Sequence, residues 1–226
     1  MLMSGPGPGD AKYYSLIYDG VSLLFTGAIF GFIVSILFGI VTLAVASSIA
    51  YSGVNEVVHV SAVIGIIYGL ILFIIIYTCY YRGFMKLATA DPLKYGIGKV
   101  GSIIGMAGLV INISSSALLL SLTFSLSNIW TAYLILSLPM IIGIVGTILM
   151  MVALYRLGEQ FSVGYLSAGA ALVIFMAVII LFILIPGAII VVGILGLLIG
   201  IPTIILLLVG LNEVKKVAEN KLKQQQ

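Results

Sequence analysis

The sequence predicts an all-helical protein that crosses a bilayer six times, as three sequential helical hairpins preceded by a short cytoplasmic interfacial helix. Three observations lead there. Hydrophobic residues make up 62% and charged residues 8% of the 226 positions, against roughly 45–50% and about 25% in soluble domains, and mean hydropathy is +1.33. The apolar residues fall in long uncharged runs, and about 20 such residues suffice to span hydrocarbon. The ten Lys and Arg residues all fall in alternate polar segments between these runs.

The elements follow in order. The leader "MLMSGPGPGD" alternates Gly and Pro, which denies it regular structure. Asp10 is placed to cap a short helix, "AKYYSLIYDG", whose Tyr13, Tyr14 and Tyr18 suit a membrane interface. Residues 1–20 are therefore expected to form a leader and juxtamembrane helix. Residues 21–51 contain no charge over 31 positions, enough for one long or tilted helix. A second span is expected over 57–81, ending at Arg82, and a polar loop over "YYRGFMKLATADPLKYGIGKVG" leads to a third over 101–126. The fourth covers 130–155 and ends at Arg156. Residues 166–211 form one apolar run of 46, too long for one crossing and right for two. "IPG" at Ile185–Gly187 is the expected turn, which divides the run into 166–185 and 187–211. Residues 212–226 read as a polar tail in water.

With six spans, one side of the membrane receives Lys12; Arg82, Lys86, Lys94 and Lys99; Arg156; and Lys215, Lys216, Lys221 and Lys223. The positive-inside rule then places both termini in the cytoplasm. An odd number of spans would put the tail's four lysines outside.

Chemistry is scarce. Cys79 is the single cysteine and His59 the single histidine, so no disulfide, Cys-x-x-Cys or paired-His metal site can form, and no cofactor is implied. The basic residues are not interleaved with aromatics on a polar face, which gives no support for nucleic acid as a partner. All seven acidic residues fall near the ends of apolar runs. Ion-coupled pumps and intramembrane hydrolases place ionisable groups within their spans, so the sequence reads as non-enzymatic. "GIGKVG" lacks the spacing of a phosphate loop and follows no strand.

Three constellations are candidate sites. Glu56 and His59 lie at i and i+3 at the start of the second span, a possible outer-face pH-responsive pair, or simply a helix start with a solvated partner. Arg82, Asp91, Arg156 and Glu159 form a candidate cytoplasmic ion-pair network, where the plainer account is arginines snorkelling to headgroups and an Asp-Pro turn. Asn112, Ser115 and Ser116 share one face of the third span, which must meet another helix or water.

Packing signals are more abundant. Gly27-x-x-x-Gly31, Gly65-x-x-x-Gly69, Gly101-x-x-x-Gly105 and Gly196-x-x-x-Gly200 each put two small residues on one helix face. Pro139 and Pro202 are expected to kink the fourth and sixth helices. Tyr81-Arg82 and Tyr155-Arg156 close even-numbered spans and precede similar polar stretches with Tyr and Gly, a weak repeat in keeping with serial hairpins.

Asp91-Pro92, Tyr95-Gly96-Ile97-Gly98 and Tyr155-Arg156-Leu157-Gly158-Glu159 carry a resemblance that runs from the first helix to the last. The chain resembles an archaeal, Sulfolobus-type multi-pass membrane family catalogued only as a domain of unknown function. That resemblance implies an integral plasma-membrane protein and brings no substrate, cofactor or catalytic residue. The residues together lead to an expected non-enzymatic membrane scaffold or accessory subunit, whose partners are the bilayer and copies of itself or other membrane subunits. The alternative is a channel or uncoupled small-solute pore lined by Asn112, Ser115 and Ser116. An enzyme or lipid-handling protein would instead gather Asp91, Glu159, Arg82 and Arg156 in a cleft.

Overall fold

The computed structural model describes residues 10–47, 53–123, 129–181 and 189–225, and these are almost wholly helical. Helix α1 is Ala11–Ser47, α2 Val54–Ile75, α3 Arg82–Ala90, α4 Pro92–Leu120, α5 Ile129–Gln160, α6 Gly164–Leu181 and α7 Ile189–Lys223. A π-helical segment, Ile76–Tyr81, joins α2 to α3 without a break. There the Thr78 hydroxyl donates to the Ile74 carbonyl at 2.7 Å, serving an acceptor where the backbone ladder widens.

Five helical stretches among the described residues are long and apolar enough to cross a membrane: Ala11–Val45, Asn55–Ala90, Pro92–Leu120, Trp130–Gln160 and Leu198–Lys223. Gly164–Ile180 is apolar but shorter. The expected turn at Ile185–Gly187 lies outside the described residues, as do the Gly-Pro leader over residues 1–9 and most of the link between α4 and α5.

Three sequence expectations are corrected. No break separates a short interfacial helix from the first span: α1 runs on from Ala11 through Gly20. The polar segment after Tyr81 is not a loop but α3 and the first turns of α4, split only at Asp91. Phe84, Leu87 and Ala90 recur every three residues and are buried, so α3 has an inner face that its charges disguise. The polar tail is not a separate segment either, since α7 continues to Lys223. Both Pro139 and Pro202 sit inside helices that continue past them.

Counting α2, the π segment and α3 as one continuous helix, each helix packs against the next, and α7 returns to α1, which closes a ring. Glycines set the closest crossings. A Cβ at Gly101 would lie 2.7 Å from the Gly146 carbonyl oxygen, and one at Gly146 would lie 2.6 Å from the Gly105 nitrogen, so α4 and α5 touch backbone to backbone. Within hydrocarbon, burial from water supplies no drive, and such close van der Waals packing holds helices together instead. The Gly65–Ser116 and Gly20–Gly83 approaches play the same part for α2 on α4 and α1 on α3.

The main core lies at one end of the ring. Tyr13, Ile17, Val21 and Leu24 of α1 meet Phe84 and Leu87 of α3, Tyr95 of α4, Leu154 and Leu157 of α5, Leu166 of α6 and Leu211 of α7, all buried. All ten Lys and Arg belong to the helix ends around this core. Toward the opposite end, among the described residues, a second cluster of Ala62, Leu119 and Ala132 joins α2, α4 and α5.

Candidate functional site

Two places in the molecule hold polar groups in an organised setting. The first is the charged end. Asp91 has extended backbone and caps α4, its carboxylate accepting from the Lys94 amide at 3.2 Å, with Pro92 at the first helical position. Lys94 Nζ pairs with the same carboxylate at 3.4 Å and donates to Gln160 Oε1 at 3.1 Å. Gln160 is the centre of this region. Its Oε1 also accepts from the buried Tyr95 hydroxyl at 2.7 Å, and its Nε2 donates to the buried Tyr13 hydroxyl. One amide thereby ties α1, α4 and α5, using both of its ends. Lys86 of α3 pairs with Asp19 of α1 at 2.8 Å, and Lys215 of α7 stands 5.2 Å from the centre of the Tyr18 ring.

The expected four-residue network does not form in this shape. Asp91 serves the cap and Lys94 rather than an arginine. Arg156 Nη1 reaches the Leu93 and Lys94 carbonyls at 3.5 and 3.4 Å. Arg156 and Glu159 share a shallow cleft between α5 and α6, but Asp91 and Arg82 do not line it. Among the described residues no ion pair joins any two of Arg82, Asp91, Arg156 and Glu159.

The second place is a cavity of about 770 Å³ bounded by α2, α4 and α5, with Ile180 of α6 at its edge. It exists because α2 and α5 both pack on α4 but scarcely on each other. Its walls are mainly apolar, with Ser61 and Tyr68 of α2, Asn112 and Ser116 of α4 and Thr147 of α5 as the polar groups. The Thr147 hydroxyl is occupied by the Gly143 carbonyl at 2.9 Å, and the Tyr68 hydroxyl lies 3.4 Å from Ser35 of α1. Asn112 makes no hydrogen bond to the described residues, and no fully buried polar side-chain atom among them lacks a partner. Of the face expected from the sequence, Asn112 and Ser116 reach the cavity and Ser115 does not line it.

Both ends of the cavity are closed by packing. Toward the charged end stand Ile76, Met150 and the Gly105–Gly146 crossing. Toward the other stand Ala62, Leu119 and Ala132, with Val58, Leu122 and Ile135 around them. His59 reinforces that closure, because its Nε2 lies 2.9 Å from the Leu122 carbonyl. A carbonyl only accepts, so this nitrogen carries a proton. His59 thus spans from α2 to the turn just past α4 and does not form an ion pair with the exposed Glu56.

The signal for the cavity was partly legible in "NISSSA", residues Asn112–Ala117. Gln160 gave no signal, since its partners Tyr95 and Tyr13 are 65 and 147 residues away.

A family model described as "Protein of unknown function (DUF973)" matches residues 15–226. No curated protein and no solved structure matches the chain.

Proposed function

Because the chain belongs to that family, whose description names no activity, we propose from the geometry that it is a non-enzymatic integral membrane scaffold or accessory subunit. It packs with copies of itself or within a larger membrane complex. The observation that carries this reading is on α1. Gly20 and Gly27 of that helix are filled by α3 and the π segment, whereas a Cβ at Gly31 would meet nothing within 4 Å. Phe30, Ile33 and Leu37 of the same helix, each about half exposed or more, form an apolar stripe on a neighbouring face. An unfilled small residue and an exposed apolar stripe on one helix fit packing by a helix from another chain.

The same reading sets the molecule in the plasma membrane with six crossings and its charged end in the cytoplasm. The N-terminal end of α1 and the C-terminal end of α7 lie together, as the Lys215–Tyr18 contact requires. An even number of crossings returns the chain to the side where it began, so α6 completes the five longer helices. Ten Lys and Arg at that end favour the cytoplasmic face.

The test is the mass of the protein in native membranes. With Cys79→Ala removing the native thiol, a Gly31→Cys variant is expected to form a disulfide-linked pair with itself or a partner chain on mild oxidation. Native mass spectrometry is expected to find a complex heavier than one chain. A single chain with no companion, in both mild detergent and lipid nanodiscs, together with no cross-link, overturns the scaffold. The alternative, a channel or uncoupled pore, draws support from Asn112 and Ser116 in the cavity wall. The packing that closes both cavity ends weighs against an axial path through one chain.

A further inference from the structure

The cavity between α2, α4 and α5 differs from a packing flaw in two respects. Asn112 is half-buried and turns toward a mainly apolar cavity with no hydrogen-bond partner among the described residues, and filling that cavity with hydrocarbon alone would strip its amide of partners at a cost in free energy. A ligand or water that supplies the missing bonds removes that cost. The second respect is the direction of access. With the Gly105–Gly146 crossing at one end and the Ala62, Leu119 and Ala132 cluster at the other, the way in lies through the gap between α2 and α5. In a chain embedded in a bilayer, such a sideways gap opens toward hydrocarbon.

We propose that this cavity binds a neutral, largely apolar molecule bearing a hydroxyl or carbonyl oxygen, which enters sideways from the bilayer. A volume of about 770 Å³ falls within the roughly 300–1,000 Å³ of small-molecule sites, which are apolar with a few placed polar groups. The ligand is neutral because, among the described residues, no Asp, Glu, His, Lys or Arg lines the wall, so an ionised group there would be uncompensated. It is not a bare hydrocarbon, because that occupant leaves the Asn112 amide unmet. The amide offers two donor hydrogens and an accepting oxygen, and so takes either a hydroxyl or a carbonyl. Ser116 lies one turn further along the same face of α4, with its hydroxyl beside Gly65. Oxygen-bearing and apolar parts of the guest thereby have separate places, at Asn112 and against Leu72, Ile76 and Met140.

This site goes beyond the scaffold reading and is tested apart from it. The full chain in lipid nanodiscs is offered 1-hexadecanol, hexadecane or hexadecyltrimethylammonium, and retained ligand is counted by native mass spectrometry. The expected result is saturable retention of one alcohol per chain, the hydrocarbon held about three- to tenfold more weakly, and the cation excluded. Asn112→Leu is expected to bring the alcohol down to the level of the hydrocarbon. Gly143→Phe is the control for the cavity itself. A Cβ at this lining glycine meets nothing within 4 Å, so a side chain can enter the cavity from there and is expected to cut retention severalfold while the melting temperature holds. Equal retention of alcohol and hydrocarbon by the native chain, undiminished retention in Gly143→Phe, or no retention of any probe at saturation overturns the proposal.

Discussion

Gln160 shows what one uncharged side chain does at a junction of three helices. Its amide serves Tyr95, Tyr13 and Lys94 together, and both tyrosines are essentially unexposed. Gln160→Leu leaves the two buried hydroxyls with only each other as hydrogen-bond partner, and we expect a loss of about 1–3 kcal/mol in denaturant unfolding of the detergent-solubilised protein. Adding Tyr13→Phe and Tyr95→Phe removes the stranded groups, so the triple variant is expected to recover part of that loss. If the three changes simply add, the hydroxyls and the amide act independently and the junction is misassigned. A sequence reading could place Gln160 at a helix end but not at this junction, since a hydrogen bond between distant residues leaves no periodic trace. It could place Asn112 and Ser116 on one face, because i and i+4 are neighbours on any helix. It drew Ser115 onto that face as well, where the cavity does not reach.

At the scale of elements, the apolar runs located the helices and the charges misled about their ends. Charged residues between 82 and 99 suggested a loop, yet Phe84, Leu87 and Ala90 form a buried face and Asp91-Pro92 starts the next helix at once. Period three among apolar residues was the available signal. Asp91→Ala removes the cap from α4, and a cost of about 0.5–2 kcal/mol is expected, with Asp91→Asn recovering most of it. The glycines were read as small-residue pairs, but their partners depend on how helices cross, which no local spacing encodes. Gly101 abuts the backbone of α5, whereas a Cβ at Gly96 of the same helix meets nothing within 4 Å. Gly101→Ala is therefore expected to destabilise by about 1–3 kcal/mol, and Gly96→Ala to be neutral or to stabilise by up to about 1 kcal/mol. Equal melting temperatures for the two variants contradict the α4–α5 crossing.

For the whole molecule, the ring of neighbours was foreshadowed by short connections, which make consecutive helices adjacent. The return of α7 to α1 was foreshadowed by sidedness alone. We predict that in intact cells of the Cys79→Ala background, a membrane-impermeant maleimide labels Glu56→Cys and spares Lys221→Cys, and that inverted vesicles reverse the pattern. Labelling of both from one side contradicts the assignment of the charged end to the cytoplasm. The charged end of the ring has a mechanical meaning. Helices pinned together there by the Gln160 amide, with α2 and α5 scarcely touching, would work like tongs, with the surrounding leaflet as the hand that squeezes them. We predict that spin labels on the outer ends of α2 and α5 move together or apart as the bilayer is made thicker or thinner, while a pair beside Gln160 keeps its distance. Unchanged separations at both ends refute this. The elastic state of one leaflet would then set how widely the gap between α2 and α5 stands open.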